Sequence, residues 1–364
     1  MSLVPKHIKN LSPYIAGKTI ESVKERYGLS NIIKLASNEN PLGPSKKSLI
    51  AVSDSLNKSN RYPDSSGYEL RSTLAEKFKL SVDNVIVGNG SEGIMSTIMR
   101  TFLRDGDEII GTENSFIGFR VLANASGKKI NWIPMTEYHY DLKTIAKSIN
   151  SKTKIIYLAN PDNPTGTYFN INEFDTFMKK VPDRVLIILD EAYFEYAQFI
   201  KDYPDSMLYR YDNVITLRTF SKIYGLAGLR VGYGFAHSEL IKNLMKVKLP
   251  FEPSIPAQIA GIAAINDEEH INNSLKINRI GYKFLKNEFD NLKINYIQSI
   301  TNFITLIFKD DKVSKECSQF LLEQGVIVRN LSSFGLPECI RVTIGTSQEN
   351  TVFADKIKKF IKVN

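Results

Sequence analysis

The chain has 364 residues and a mass of 41.2 kDa, room for one large α/β domain or two domains with a substantial core. Its 43% hydrophobic and 24% charged residues are ordinary for a soluble globular protein, and no segment approaches the roughly 18 consecutive apolar residues that a membrane helix needs. The formal net charge of +8 favours anionic ligands. The lysines, however, are scattered among Asn, Ile and Ser with no nucleic-acid-binding motif, which argues against nucleic acid as a partner. Met1-Ser2-Leu3-Val4-Pro5-Lys6 lacks the apolar run of a signal peptide, and Cys317 and Cys339 are too far apart for a metal-ligand spacing. A cytoplasmic protein with free thiols, no membrane partner and no bound metal is expected.

Residues 1–30 read as an N-terminal arm, with turn formers around Leu11-Ser12-Pro13-Tyr14 and a short charged helix. The strand-like Ile32-Ile33-Lys34-Leu35 leads into Ala36-Ser37-Asn38-Glu39-Asn40-Pro41-Leu42-Gly43-Pro44, whose Pro and Gly density marks a crossing loop. A helix near 45–57 stops before the turn Arg61-Tyr62-Pro63-Asp64.

From about 68 to 235, helical periods alternate with seven apolar runs: 85–87, 108–110, 130–133, 154–158, 185–189, 214–217 and 231–235. Several are apolar at every position, as strands buried on both faces must be, so a mostly parallel seven-stranded sheet covered by helices is expected. In such sheets ligands bind beyond the carboxyl ends of the strands.

Four of those ends carry polar groups. After the first run comes Gly88-Asn89-Gly90-Ser91-Glu92-Gly93, a turn in its own right that also suits an anion, because its N–H groups precede a helix expected to start near Ile94. Asn160-Pro161-Asp162-Asn163-Pro164-Thr165-Gly166 holds the Asn163 amide between two prolines. Asp190 ends a buried strand beside Tyr193, where a carboxylate is costly unless it caps a helix or meets a cation.

The last of the four ends is Thr219-Phe220-Ser221-Lys222, followed by Gly225-Leu226-Ala227-Gly228-Leu229-Arg230. Desolvation and a neighbouring cation such as Arg230 would lower the Lys222 pKa and leave it nucleophilic. A Ser-Lys pair after a strand is ordinarily a solvated loop. Together, however, an amine, a carboxylate, an amide and phosphate donors are the parts of a pyridoxal phosphate site.

In the last third, Ile277, Ile280, Phe284, Leu285, Phe289 and Leu292 recur at helical spacing and read as core. Strands follow at 294–298 and 303–308, then a helix over 314–324, strands at 326–329 and 339–344, and a final amphipathic helix over 347–362. The expected division is an arm (1–30), a large α/β domain (45–255), and a smaller α+β domain from 31–44 and 256–364.

Nearly end to end, the sequence resembles the fold type I pyridoxal-phosphate aminotransferases, and within them the histidinol-phosphate aminotransferases. The resemblance lies in Ser12-Pro13-Tyr14, Gly17-Lys18, the crossing 34–43, Arg61-Tyr62-Pro63, the Asn163-Pro164-Thr165-Gly166 loop, the Lys222 stretch and Arg341-Val342-Thr343-Ile344-Gly345. It implies catalytic roles for Lys222 as the imine-forming lysine and proton shuttle, Asp190 on the pyridine nitrogen, and Tyr193 with Asn163 on the phenolate oxygen. Gly90, Ser91, Glu92, Thr219, Ser221 and Arg230 would cradle the phosphate, Phe116 would stack on the ring, and Tyr62 would reach the phosphate from the second subunit of a homodimer. Tyr14, Asn38, Arg329 and Arg341 would meet the substrate. An arginine in mid-strand is ordinarily an exposed-face residue, but two of them beside this motif suit bidentate binding of phosphate or carboxylate.

Three features depart from the family pattern: Glu92-Gly93 stands where Asp-Glu is usual, Phe116 where tyrosine is common, and Pro250-Phe251-Glu252-Pro253-Ser254 where an Asn-containing segment is usual. The implied reaction exchanges an amino group between L-histidinol phosphate and 2-oxoglutarate in histidine biosynthesis. An aromatic amino-acid aminotransferase, a phosphothreonine-type decarboxylase and a non-catalytic regulator on the same fold are the competing readings.

Overall fold

The computed structural model describes residues 3–13, 17–206 and 211–363. Its largest sheet contains seven strands: β1 Val85–Gly88, β2 Glu108–Thr112, β3 Lys129–Ile133, β4 Thr153–Ala159, β5 Leu186–Asp190, β6 Val214–Thr219 and β7 Gly232–Phe235. Each of the seven expected runs forms one of them. The spatial order is β1-β7-β6-β5-β4-β2-β3. All neighbours pair in parallel except β7, which runs antiparallel to both β1 and β6.

The side-chain period of two explains the burial. Along β4, Ile155, Tyr157 and Ala159 enter one core with Ile188, Ile215 and Leu217. Ile156 and Leu158 enter the core on the opposite face, with Ile187 and Leu189. With helices on both faces, a polar side chain in a strand is costly unless it is partnered, as Arg218 of β6 is by Glu191 at 2.7 Å, so apolar runs predominate.

Helices Lys46–Ser55, Tyr68–Lys77 and Ile255–Ile265 belong to a further core, in which Leu70 and Leu74 meet Ala257, Ala260 and Phe220. Helix Glu268–Asn291 then crosses between cores, burying Leu275 in this one and Leu285 and Phe289 in the next. Ile280, expected in the core, is 52% exposed. The inward face of the helix runs through Gly281, which abuts Ile344, so its neighbour in sequence turns outward.

The second sheet is antiparallel, with β8 Asn295–Ile297, β9 Phe303–Ile307, β10 Arg329–Asn330 and β11 Cys339–Thr343 in the order β10-β11-β9-β8. The single run expected over 326–329 serves two sheets. Val326–Ile327 pairs in parallel with Ile33–Lys34, while Arg329 moves on to pair with Arg341. The crossing segment after Lys34 is thereby tied to the second sheet, and Leu35 O accepts from Thr343 N at 2.8 Å.

Candidate active site

The carboxyl ends of β1, β4, β5 and β6 converge on a cavity of ≈ 230 Å³. Gly90, Ser91, Glu92, Phe116, Asn163, Asp190, Tyr193, Thr219, Ser221, Lys222 and Arg230 all line it. The helix beyond β1 begins at Gly90, four residues earlier than expected, so Ser91 and Glu92 occupy its first turn. That places their N–H groups among the four that a helix leaves unpaired, where an anion is favoured. Gly90 has φ +74°, and a Cβ there would lie 2.9 Å from Arg230 Nη2. Gly232 on β7 packs so closely that a Cβ would lie 2.5 Å from Ser91 N. Arg230 Nη2 donates to Glu92 Oε2 at 3.3 Å, and Thr219 Oγ1 accepts from Ser221 N at 3.0 Å.

Asp190 is held from both sides: Tyr157 Oη donates to its Oδ2 at 2.9 Å and Ala192 N donates to its Oδ1 at 3.2 Å. Burial pushes its pKa up to about 6 in spite of these bonds. A cation facing Asp190 would reverse that penalty, so the carboxyl suits a protonated ring nitrogen and not a neutral ligand.

Lys222 Nζ donates to Ser37 O at 3.2 Å and lies 5.7 Å from the centroid of the Tyr193 ring. The residue is half-buried and faces the cavity. Desolvation is the first cause lowering its pKa to about 8, followed by the positive charge of Arg341 and, more weakly, Arg230. The sequence singled out Arg230 for this task; the fold gives Arg341 the larger share. Tyr193 Oη accepts from Asn38 Nδ2 at 2.8 Å, and burial raises its pKa to about 12.

Beside this cavity lies a smaller one of ≈ 150 Å³, lined by Gly17, Asn38, Phe116, Asn163, Lys222, Arg329, Phe334 and Arg341, among others. Arg329 and Arg341 are register partners across β10 and β11. Arg341 Nη1 donates to Asn163 Oδ1 and Arg341 Nη2 donates to Ala36 O at 2.8 Å. The Asn163 carbonyl oxygen is thus committed to an arginine, which leaves its amide N–H₂ as the group able to donate to a ligand.

Tyr14 lies outside the described residues, and one other expected residue does not line these cavities. Tyr62 is 78% exposed and stacks on Phe251 with centroids 4.3 Å apart, lining neither cavity of its own chain. Conversely, Tyr157, Ser37 and Glu39 line the larger cavity without having been singled out. Tyr157 sits within an apolar strand and reads as core; only the pairing of Ala159 with Asp190 reveals where its hydroxyl goes.

The sequence profile of the family described as aminotransferase class I and II matches residues 30–357. The chain belongs to this aminotransferase family. As an aminotransferase it is 41% identical to histidinol-phosphate aminotransferase 2 of Carboxydothermus hydrogenoformans, over 99% of this chain and 100% of that one. It is also 41% identical to the histidinol-phosphate aminotransferase of Anaeromyxobacter sp., over 96% of each. The crystal structure of histidinol-phosphate aminotransferase from Sinorhizobium meliloti in complex with pyridoxal-5'-phosphate superposes with a TM-score of 0.91 at 25% identity, covering 100% of this aminotransferase and 98% of that chain. An aspartate aminotransferase of Thermus thermophilus, 19% identical with a TM-score of 0.83, shares the fold.

Proposed function

We propose that this aminotransferase binds pyridoxal 5'-phosphate and exchanges an amino group between L-histidinol phosphate and 2-oxoglutarate, giving imidazole acetol phosphate and L-glutamate. The observation that carries the substrate assignment is the register pairing of Arg329 with Arg341 beside Lys222, two planar cations at the wall of one small cavity. Histidinol phosphate has no α-carboxylate, and its phosphate is an anion that two arginines can share, whereas a monocarboxylic amino acid such as phenylalanine gives the second arginine no such use. The names of the relatives support the same substrate, and with it a place in histidine biosynthesis and in the cytoplasm.

The cofactor fits the donor set. The first turn at Gly90, Ser91 and Glu92, with Thr219, Ser221 and Arg230, would hold its phosphate. Asp190 would hold the ring nitrogen, Asn163 and Tyr193 the ring hydroxyl, and Phe116 a ring face. When bound, pyridoxal phosphate supplies an aldehyde for the amino group and an electron-withdrawing ring that stabilises charge at the adjacent carbon. Lys222, with its pKa lowered to about 8, carries roughly a tenth of its population as free amine at about pH 7, far more than an ordinary lysine; it would hold the cofactor and carry the proton at the reacting carbon. Tyr157, which donates to Asp190, would keep that carboxylate oriented toward the ring nitrogen. Arg341, tied to Asn163, and Arg329 hold the anionic end of either substrate, with Asn38 and Tyr14 alongside.

The working unit under this reading is a homodimer in which Tyr62 of one subunit reaches the phosphate site of the other, which accounts for an exposed tyrosine stacked on Phe251. The large domain would span 45–255, the small domain 31–44 and 256–364, and the arm 1–30.

A panel of amino donors with 2-oxoglutarate tests the assignment. Histidinol phosphate should give the highest kcat/KM. Higher efficiency with phenylalanine or tyrosine, or release of carbon dioxide, would overturn it.

A further inference from the structure

The turn between β10 and β11 bears on both arginines. Ser333 Oγ accepts from Arg329 Nη2 at 3.3 Å. The buried ring of Phe334 lies 5.8 Å from the Arg329 guanidinium carbon and 5.9 Å from that of Arg341, so one aromatic ring backs two cations. The turn thus holds Arg329 directly and supports one side of Arg341, which also contacts Asn163, Ala36 and the Phe303 ring at 5.3 Å.

Its position is set from the large sheet. Asn114, in the loop after β2, donates Nδ2 to Phe334 O at 3.0 Å and to Gly335 O at 3.2 Å. Gly335 has φ +78°, which favours glycine, and a Cβ there would lie 2.8 Å from Asn114 Nδ2 and push that amide away. Ile117 and Tyr138, also from the large-sheet side, pack on Leu331, Phe334, Leu336 and Cys339. Tyr138 and Glu137 both hold positive φ (65° and 49°), a costly conformation for consecutive non-glycine residues, in the turn that presents the Tyr138 ring to this cluster. Asn114 itself lines neither cavity.

We propose that Asn114 is a positioning residue for anion recognition: by gripping the backbone of Phe334 and Gly335 it fixes the ring against which Arg329 and Arg341 rest. This rests on the reading of those arginines as the site for the substrate's anionic end. Preorganised donors lose much of their effect when displaced by about 1 Å, so the loss should appear in substrate binding and not in cofactor binding.

The test uses the cofactor-loaded enzyme and Asn114→Ala, which removes two hydrogen bonds at the rim and no core volume. The KM for histidinol phosphate, the KM for 2-oxoglutarate and the inhibition constant of inorganic phosphate should each rise about tenfold. kcat and pyridoxal phosphate affinity should stay within about twofold. Gly335→Ala should reproduce this pattern, and adding it to Asn114→Ala should cost less than it does in the wild type, because both variants break one contact. Unchanged KM values, a parallel fall in cofactor affinity and kcat, or fully additive effects would each overturn the proposal. Should the wild type reject histidinol phosphate, the substrate assignment fails separately; the clamp is then read from 2-oxoglutarate and inorganic phosphate with whichever amino donor the panel selects, and the same outcomes decide it.

Discussion

Tyr157 Oη reaches Asp190 Oδ2 at 2.9 Å from the neighbouring strand, and both residues are buried. A phenol can donate to a carboxylate but cannot neutralise it, so the Asp190 pKa remains raised, from 3.8 to about 6. Such a group burdens the folded cofactor-free protein once it ionises. The burden is absent below about pH 4, where folded and unfolded chains are both protonated, and complete above about pH 6. Asp190→Asn should therefore stabilise the cofactor-free form by about 1–3 kcal/mol at about pH 8, with the gain fading as the pH falls through the window from about 6 to 4. Urea unfolding across that range measures it. The same variant should lose turnover by orders of magnitude, and a cofactor-free Asp190→Asn that is less stable than wild type at the alkaline end would contradict the account.

Lys222 supplies a kinetic prediction. With its pKa lowered to about 8, the fraction of free amine, and with it the rate at which cofactor-free enzyme captures pyridoxal phosphate covalently, should climb with pH and level off above about 8. Arg341→Gln removes the largest charge contribution to that lowering and should move the midpoint upward. Lys222→Ala should abolish turnover while cofactor is still retained by the phosphate cradle and Asp190. Stopped-flow absorbance distinguishes these outcomes, and a profile that is flat across the range would count against a lowered pKa. Borohydride fixation of the cofactor to another lysine would remove Lys222 from its role.

Tyr62 yields a prediction about assembly. Lys222→Ala and a strongly impaired Tyr62→Ala subunit, mixed under conditions of subunit exchange, should form heterodimers with one intact site and recover activity. Mass spectrometry can verify exchange; if activity stays absent after it, Tyr62 acts within its own chain or not at all.

For Arg329 the expected signature is selectivity. A charge-assisted hydrogen bond contributes about 1.5–3 kcal/mol, so Arg329→Ala should lower kcat/KM for histidinol phosphate by about one to two orders of magnitude. Turnover of phenylalanine or tyrosine should fall less if Arg341 is the main contact for a carboxylate. An equal loss on both kinds of substrate would favour an aromatic amino-acid enzyme.

The inner strands were legible because burial on both faces disfavours polar residues, a constraint written directly into runs such as 155–158 and 185–189. The residues at the strand ends were legible for the opposite reason: Asp190, Asn163 and Lys222 break apolar or Pro-bounded segments where plain packing has no use for them. What stayed hidden depends on register. Tyr157 looks like any core aromatic until Ala159 is known to sit opposite Asp190. Arg341 could be read as an anion site, but its bond to Asn163 joins residues 178 apart in sequence, and no local pattern encodes it. The antiparallel direction of β7 was equally invisible, since an apolar run reads the same both ways.

That reversed strand bears on how the protein comes into being. Among the described residues β7 alone joins β1 to the rest of the large sheet, and Gly232 on it lies against Gly90 and Ser91. The turn proposed to hold the phosphate, complete in sequence by residue 93, lacks its sheet neighbour until the chain beyond residue 230 has been made and inserted between β1 and β6. Pairing across so long a loop is slow relative to local contacts. During synthesis the cofactor site should accordingly close as one of the last events in folding of the large sheet, and amide protons of β1 should gain protection from exchange no earlier than those of β7.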